Sequence, residues 1–323
     1  MRPLKFHPIL KQTLWGGERI IPYKELASEL SRVGESWELS GMPGSESVVA
    51  EGPWTGSTQP ELLGRFGAEL LGKANYARFG QEFPLLVKFI DAREDLSIQV
   101  HPDDELARKR HGKSGKCEMW YVLEAEPGAS LLTGFSRPIA PAEYERRVAD
   151  NTLTDVLNRQ AIASGDVFYL PAGRVHSIGK GSFIVEIQQS SDITYRIYDF
   201  DRRDAAGNSR ELHTELAREA IDFESSENSR ITYAPENNQE VRLVTTPYFT
   251  TSLYTLTART RCDWSATDSF VAIVLLQGSG SLTDNEGNRI DVRQGETWLL
   301  PASTQWTEIT PHTAPLRLLT SRI

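Results

Sequence analysis

An eight-residue segment that occurs twice is the feature of this sequence that most restricts its fold. Residues 165–172 read Gly-Asp-Val-Phe-Tyr-Leu-Pro-Ala, and residues 295–302 read Gly-Glu-Thr-Trp-Leu-Leu-Pro-Ala. In both copies a glycine opens a short apolar segment and a proline closes it, which is typical of a strand between two turns. Short β segments match easily by chance, but eight aligned positions with the same punctuation predict two related β-barrel units.

The two copies differ at the position five residues after their proline. Five residues after Pro171 the first copy has His176, whereas five residues after Pro301 the second copy has Trp306. An indole ring cannot ligate a metal ion, because its nitrogen is only a hydrogen-bond donor. The sequence therefore predicts one unit that is equipped for chemistry and a second unit that is not.

The first unit also carries other residues with metal-binding chemistry. Gln99 and His101 are two positions apart, so on a strand their side chains lie on the same face. Glu118 begins a further segment with strand character, and His176 follows a turn. A lone histidine beside a strand is more often structural than a ligand. The combination of Gln, His, Glu and His is a mixed N/O set that suits a borderline divalent ion such as zinc, with water completing an open site.

Composition restricts the class of protein. The chain has 323 residues, long enough to favour two domains, and its 39% hydrophobic and 24% charged residues are typical of globular proteins. The net charge of −9 disfavours binding to nucleic acid or to an anionic membrane. Two cysteines, Cys117 and Cys262, predict reduced thiols in the cytosol, and the N-terminal sequence has no apolar segment typical of a signal peptide.

The periodicity of apolar residues predicts a mainly β protein. The expected strands are 36–40, 84–90, 119–123, 167–170, 183–188 and 194–198 in the first unit, and 241–245, 250–258, 270–276, 280–284 and 296–300 in the second. Helical insertions are expected in the first unit at about 61–80, 102–112 and 141–159.

A segment rich in Ser, Asn, Glu and Pro, residues 225–239, is the expected linker between the two units. The predicted domains are therefore 1–235, which carries the site, and 236–323, a β domain without a metal site.

Six short motifs occur in the order that one known family shows. They are Trp37-Glu-Leu-Ser, Pro84-Leu-Leu-Val-Lys-Phe, Ser97-Ile-Gln-Val-His-Pro-Asp, Gly115-Lys-Cys-Glu-Met-Trp-Tyr, the segment from Gly165 to His176, and Glu186-Ile-Gln-Gln-Ser-Ser-Asp-Ile-Thr-Tyr-Arg196. Together they resemble the type I mannose-6-phosphate isomerases, metal-dependent enzymes of the cupin superfamily, in their short bacterial form. The resemblance is strong from residue 1 to about 205 and loose beyond it.

The resemblance implies two cupin (jelly-roll) barrels that interconvert mannose 6-phosphate and fructose 6-phosphate, by proton transfer between C1 and C2 through an enediolate. It also implies one zinc ion bound through Gln99, His101, Glu118 and His176, and an active-site arginine at Arg196. The expected partner is then a phosphorylated hexose, not nucleic acid or a membrane. We expect a cytoplasmic monomer or weak homodimer.

The sequence does not identify the residue that acts as the catalytic base. Lys116 shares a strand face with Glu118, and a bound cation nearby would lower its pKa. Glu186 and a metal-bound water are rivals for the same role. In the alternative interpretation Lys116 is a surface lysine in a basic loop.

Two further cations are candidates for binding the substrate. If residues 189–193 form a turn centred on Ser191, Arg196 lies opposite Glu186 on the neighbouring strand, near the mouth of the site. Arg196 would then contact anionic substrate groups or form a structural ion pair. Lys88, inside the apolar segment 84–90, is either a surface residue or a substrate-binding residue.

Two other functions fit the same ligand types. An iron-dependent cupin oxygenase would need iron and oxygen and would be inactive with zinc. A non-catalytic sugar-phosphate-binding cupin would bind the substrate without converting it. Metal analysis and an assay for conversion separate the three functions.

Overall fold

Four antiparallel β-sheets form the body of the protein in the computed structural model, which describes residues 1–204, 206–224 and 228–323. The elements before residue 224 are β1 (Leu4–Lys5), β2 (Ile9–Gly17), α1 (Ile20–Tyr23), β3 (Val33–Leu39), β4 (Gly41–Met42), β5 (Ser45–Glu46), α2 (Gln59–Phe66), α3 (Ala68–Leu71), α4 (Lys73–Phe79), β6 (Leu85–Ala92), β7 (Ile98–Val100), α5 (Asp104–His111), β8 (Glu118–Ala125), β9 (Ser130–Phe135), α6 (Pro141–Ala149), β10 (Leu157–Ala161), β11 (Val167–Leu170), β12 (His176–Ile178), β13 (Ser182–Gln189), β14 (Tyr195–Tyr198) and α7 (Thr214–Ala220). Those after residue 227 are β15 (Arg230–Ile231), β16 (Val241–Thr245), β17 (Thr250–Leu256), β18 (Thr260–Asp263), β19 (Val271–Gln277), β20 (Ser279–Asp284), β21 (Arg289–Arg293), β22 (Thr297–Leu300), β23 (Trp306–Pro311) and β24 (Leu316–Arg322).

The first barrel consists of a seven-stranded sheet, in the order β15-β11-β8-β13-β6-β2-β3, and a five-stranded sheet, in the order β10-β9-β12-β7-β14. Alternate residues of β8 and β13 face different cores, as the two-residue period of a strand requires. Trp120, Val122 and Ile184 contact residues of the five-stranded sheet inside the barrel. Met119 and Val185 lie in the core on the other face of their sheet.

The second barrel has the same strand order with fewer strands. Its sheets run β22-β19-β24-β17-β16, with β1 beside β22, and β18-β23-β20-β21. In the first of these sheets β22-β19-β24-β17 corresponds to β11-β8-β13-β6 of the first barrel. In the second sheet β18-β23-β20-β21 corresponds to β7-β12-β9-β10. The mainly β architecture of two related barrels predicted from the repeated segment is therefore confirmed.

The two barrels share an apolar core. The outer faces of the seven-stranded and six-stranded sheets pack together there with residues of α2 and α3. Strand β1 pairs with β22 and so belongs to the sheet of the second barrel. Within the expected linker, residues 225–227 lie outside the described residues, and β15 pairs with β11. The division at residue 235 stays a prediction.

The helical insertions begin close to where the sequence places them, but one ends earlier. Helix α6 ends at Ala149, and Asn151 adopts a positive φ of 54°, a conformation that ends helices. A short 3-10 turn follows, and β10 then pairs with β9, so the prediction of helix up to residue 159 is wrong in its second half. None of the helices in the described parts of the chain is long and apolar enough to cross a membrane.

Candidate metal and substrate site

Three neighbouring strands of the five-stranded sheet place one side chain each in a row. His176, at the start of β12, pairs with Gln99 of β7, and Gln99 pairs with Arg196 of β14. Neighbouring strands lie about 4.8 Å apart, so the row is about 10 Å long. It runs from an imidazole, past an amide, to a guanidinium on the edge strand.

The seven-stranded sheet supplies the opposite wall. Glu186 of β13 pairs with Trp120 of β8 on one side and with Lys88 of β6 on the other. A cavity of about 150 Å³ lies between the two sheets, and its polar lining includes Lys88, Gln99, Lys116, Glu186, Arg196 and Arg210.

A buried cluster of ligand-type side chains adjoins this cavity. Nε2 of His101 lies 3.5 Å from Glu118 Oε2, and Nε2 of His176 lies 3.2 Å from Glu118 Oε1. One ligand atom from each of the three residues lies within 4.8 Å of the others. The cluster combines two imidazole nitrogens and a carboxylate, which is a donor set that zinc and related divalent ions accept.

The other ring nitrogen of each histidine fixes its orientation. Nδ1 of His101 lies 2.8 Å from the carbonyl oxygen of Ile193, and Nδ1 of His176 lies 2.8 Å from that of Arg174. A carbonyl oxygen only accepts, so each Nδ1 must carry the proton and each Nε2 presents a lone pair towards Glu118. Within the described residues, His101 Nε2 and both carboxylate oxygens of Glu118 are buried without a hydrogen bond. Glu118 Oε2 forms an ion pair with Lys116, and the lone pairs that remain fit a bound cation.

The protonation states suit the same role. Burial, with the positive charge of Lys116, lowers the pKa of His101 to about 3. Burial also lowers the pKa of His176. Burial alone would raise the pKa of Glu118, but the positive charge of Lys116 holds it well below its usual range. At neutral pH the cluster therefore consists of neutral imidazoles and an ionised carboxylate, the forms that bind metal ions.

Gln99 lies beside this cluster and not within it. Its amide nitrogen is 3.5 Å from His176 Nε2. Oxygen and nitrogen of an amide exchange places when the group rotates by 180°, so the same position can present Oε1 to a metal ion. The structure thus places Gln99 where the sequence expects a fourth ligand.

The two lysines of the cavity are buried in ion pairs. Lys116 Nζ lies 2.9 Å from Glu118 Oε2, so its alternative interpretation as a surface lysine is wrong. Lys88 Nζ lies 3.1 Å from Glu186 Oε1, and Trp120 Nε1 donates to Glu186 Oε2. Burial opposes the charge of Lys88, but the carboxylate of Glu186 keeps its pKa raised. Lys88 is therefore also not a surface residue.

Arg196 lines the cavity, but the predicted hairpin with Glu186 is wrong. Strand β13 stays in the seven-stranded sheet, whereas β14 pairs with β7 in the other sheet. The connecting residues 190–194 cross between the sheets, where Ser190 N donates to Pro84 O. Arg196 and Glu186 consequently face the cavity from opposite walls.

The sequence analysis missed Arg210, which lines the same cavity. Its Nε donates to Asp199 Oδ2 at 2.7 Å. In the sequence Arg210 follows a polar, glycine-containing loop without periodicity, so no local pattern indicates where its side chain lies. Nothing in the sequence distinguishes Arg210 from the neighbouring Arg202 and Arg203 as a residue of the site.

Comparisons with known proteins agree with this geometry. A sequence model of the phosphomannose isomerase type I catalytic domain matches residues 4–132. The chain is 33% identical over 302 residues to the mannose-6-phosphate isomerase of Streptococcus mutans, covering 93% of this chain and 92% of that one. It is also 33% identical over 303 residues to the mannose-6-phosphate isomerase ManA of Bacillus subtilis, covering 93% of both chains.

Solved structures agree over the whole chain. The crystal structure of mannose 6-phosphate isomerase from Bacillus subtilis superposes with a TM-score of 0.90 and 30% identity, covering 100% of both chains. A variant of phosphomannose isomerase from Salmonella typhimurium superposes with a TM-score of 0.77 over 99% of both chains. At 16% identity the second match shows the fold alone, and both confirm the predicted cupin architecture.

Proposed function

Because the chain belongs to the type I phosphomannose isomerase family, we propose that it interconverts mannose 6-phosphate and fructose 6-phosphate. The observation that carries the proposal is the buried cluster of His101, Glu118 and His176 beside a cavity lined by lysines and arginines. A ligand cluster alone would suit many reactions. The two arginines of the cavity next to it favour an anionic substrate.

We propose zinc as the resident ion, held by His101, Glu118 and His176 with Gln99 as the fourth protein ligand. When bound, the ion supplies Lewis-acid polarisation of the substrate oxygens at C1 and C2. The two histidine tautomers fixed by backbone carbonyls support this assignment, because they leave the ligating nitrogens unprotonated.

Two residues are positioned to move the proton between C2 and C1. In the forward direction a base removes the proton from C2, the C1 oxygen takes the charge of the enediolate, and a proton then reaches C1 while the C2 hydroxyl loses its own. Lys116 and Glu186 both line the cavity and both are buried. Both Glu186 oxygens already accept hydrogen bonds, whereas Lys116 forms an ion pair only with Glu118 within the described residues.

Comparing Lys116→Met with Glu186→Gln identifies the base. Loss of the base stops the exchange of solvent hydrogen into C2 of mannose 6-phosphate, while a variant that only weakens binding keeps the exchange at saturating substrate.

Arg196 completes the proposed machinery. Arg196 pairs with Gln99, the proposed fourth ligand, and lines the cavity beside the cluster, so it lies near a substrate whose C1 and C2 are at the cluster. We assign it to the stabilisation of the negative charge that develops in the enediolate.

A coupled assay for fructose 6-phosphate tests the proposal. We expect turnover of mannose 6-phosphate, its loss with a chelator, and its recovery when zinc is returned. Oxygen-dependent turnover with iron and inactivity with zinc would instead identify an oxygenase. Binding of mannose 6-phosphate without conversion would identify a binding module. Cytoplasmic location and a monomeric or weakly dimeric state remain predictions.

A further inference from the structure

Residues 210–213 lie against edge strand β14 and bring a second arginine to the cavity. His213 N donates to Arg196 O at 2.6 Å, and Arg196 N donates to His213 Nδ1 at 3.3 Å. The Arg196 side chain donates from Nη1 to Glu211 O at 2.9 Å. These residues therefore lie along the side of β14 away from β7 and His176, and Arg210 lines the cavity from there.

Arg210 is held in place by one side of its guanidinium only. Its Nε donates to Asp199 Oδ2 at 2.7 Å, and its Nη2 to Asp199 Oδ1 at 2.5 Å. Asp199 is itself buried, with 5% of its surface exposed. An arginine has five N–H donors, so this paired contact orients the group and leaves donors available to a ligand.

The charges of the cavity are unbalanced at this end. Lys88 and Lys116 have the carboxylates of Glu186 and Glu118 beside them. No carboxylate of residues 1–204, 206–224 or 228–323 lies within 4.0 Å of the Arg196 guanidinium, and Arg196 Nε is buried without a hydrogen-bond partner there. Burial lowers the pKa of Arg196, and the positive charge of Arg210 lowers it further. A bound anion would relieve both effects.

The dimensions match a hexose that carries its anion at the far end. The row from His176 to Arg196 spans two strand spacings, about 10 Å, and Arg210 lies beyond its end. In mannose 6-phosphate the reacting C1 and C2 lie at one end of a six-carbon chain and the phosphate lies at the other. With C1 and C2 at the ligand cluster, on the side of Arg196 that faces Gln99, the phosphate lies on its other side, towards Arg210.

We propose that Arg210 binds the phosphate group of the substrate and selects phosphorylated over unphosphorylated hexoses. The assignment rests on the proposed isomerase function, and it separates two roles: Arg196 faces the reacting carbons, and Arg210 faces the phosphate. A guanidinium suits the second role because it binds phosphate through two parallel hydrogen bonds.

The test combines turnover of mannose 6-phosphate with calorimetric binding of glucitol 6-phosphate, which has no carbonyl group to isomerise, and of unphosphorylated glucitol. Arg210→Ala should raise KM and the Kd of glucitol 6-phosphate by about ten- to a hundredfold, the range for a hydrogen bond to a charged group. It should leave kcat and the affinity for glucitol within about twofold. Arg210→Lys keeps the charge and should recover part of the lost affinity.

Arg202→Ala is the matched control, because Arg202 also contacts Asp199, at 3.3 Å, but does not line the cavity. It should leave KM and the Kd of glucitol 6-phosphate unchanged. Equal losses in both variants, with similar melting temperatures, would mean that Arg210 only holds Asp199 and would overturn the assignment. A fall in kcat at constant KM for Arg210→Ala would also overturn it.

The two proposals fail separately in this design. Binding of glucitol 6-phosphate that depends on Arg210, in a protein that does not form fructose 6-phosphate, would refute the isomerase and keep the phosphate site. Normal isomerisation by Arg210→Ala, with unchanged KM and Kd, would refute the phosphate site and keep the isomerase. Absence of glucitol 6-phosphate binding to the unaltered protein would refute the site outright.

Discussion

The two barrels have the same backbone plan and different interiors. Gly165 donates its N–H to Val122 O at 2.8 Å, and Gly295 donates to Leu275 O at 2.9 Å. In each barrel the residue after the glycine accepts a hydrogen bond from the same partner residue. The repeated segment of the sequence therefore builds the same turn twice, between equivalent strands.

Inside the barrels the chemistry diverges. Glu118 begins β8 opposite Leu170, whereas Val271 begins β19 opposite Leu300. Val271 belongs to an apolar core that fills the second barrel. The first barrel instead buries two lysines and two glutamates, although desolvating charges costs several kcal/mol for each ion. The second barrel shows that the fold is stable without these charges, so their presence in the first barrel points to function.

The largest expected effect is the loss of the first barrel's metal in His101→Ala. Metal content should fall from about one ion per chain towards zero, and activity should fall more than about a thousandfold, because Lewis-acid stabilisation amounts to several kcal/mol. Elemental analysis and the coupled assay measure both. The exposed His312 is the control, since His312→Ala should change neither. Unchanged metal content in His101→Ala would contradict the ligand assignment.

Next in size is the effect of removing Arg196, whose strand β14 has no equivalent in the four-stranded sheet formed by the described residues of the second barrel. Arg196→Ala should cost about 3–4 kcal/mol of transition-state stabilisation, a hundred- to a thousandfold fall in kcat, with metal content and melting temperature retained. Arg196→Lys keeps the charge without the planar donor pair and should stay strongly impaired. A rise in KM at constant kcat would reassign Arg196 to ground-state binding.

The shared turn gives a smaller, paired effect on stability. Gly165 has φ 90° and Gly295 has φ 81°, so alanine at either position should cost about 1–2 kcal/mol in backbone strain. A Cβ at Gly295 would also lie 2.9 Å from Lys24 Cα, whereas one at Gly165 meets only Tyr233 OH at 3.5 Å. Urea unfolding should show the greater loss for Gly295→Ala. The reverse order would mean that the two turns are not equivalent.

The smallest effect is expected at Trp306, the counterpart of His176. Trp306→His should not create a second metal site, because the second barrel has Val271 at the position that Glu118 occupies in the first barrel. It removes a stacking contact with the Arg261 guanidinium, 4.1 Å from the ring centroid, so stability should fall by about 0.5–1 kcal/mol. The Trp306→His variant retains His101 and Glu118, so it should bind one zinc ion per chain. Two zinc ions per chain would contradict the interpretation of the second barrel as inert.

Local sequence patterns predicted the residues of the ligand cluster but not its surroundings. His101, Glu118 and His176 were recognisable because each stands at a fixed distance from a strand or a turn, and strand periodicity fixes which face a side chain occupies. Strands β9 and β10 were not identified, and Arg210 was overlooked. These two strands and Arg210 acquire their positions from contacts with distant parts of the chain, which no local sequence pattern indicates.

The sequence by itself determined the two-barrel plan, the apolar faces of the strands that it predicted and the difference between His176 and Trp306, because these depend on short-range spacing. Only the tertiary structure decided to which sheet each strand belongs. Glu186 and Arg196 look like hairpin partners in the sequence, yet β13 and β14 lie in opposite walls. Sheet membership depends on which distant apolar faces pack together, and ten residues of sequence carry no information about that choice.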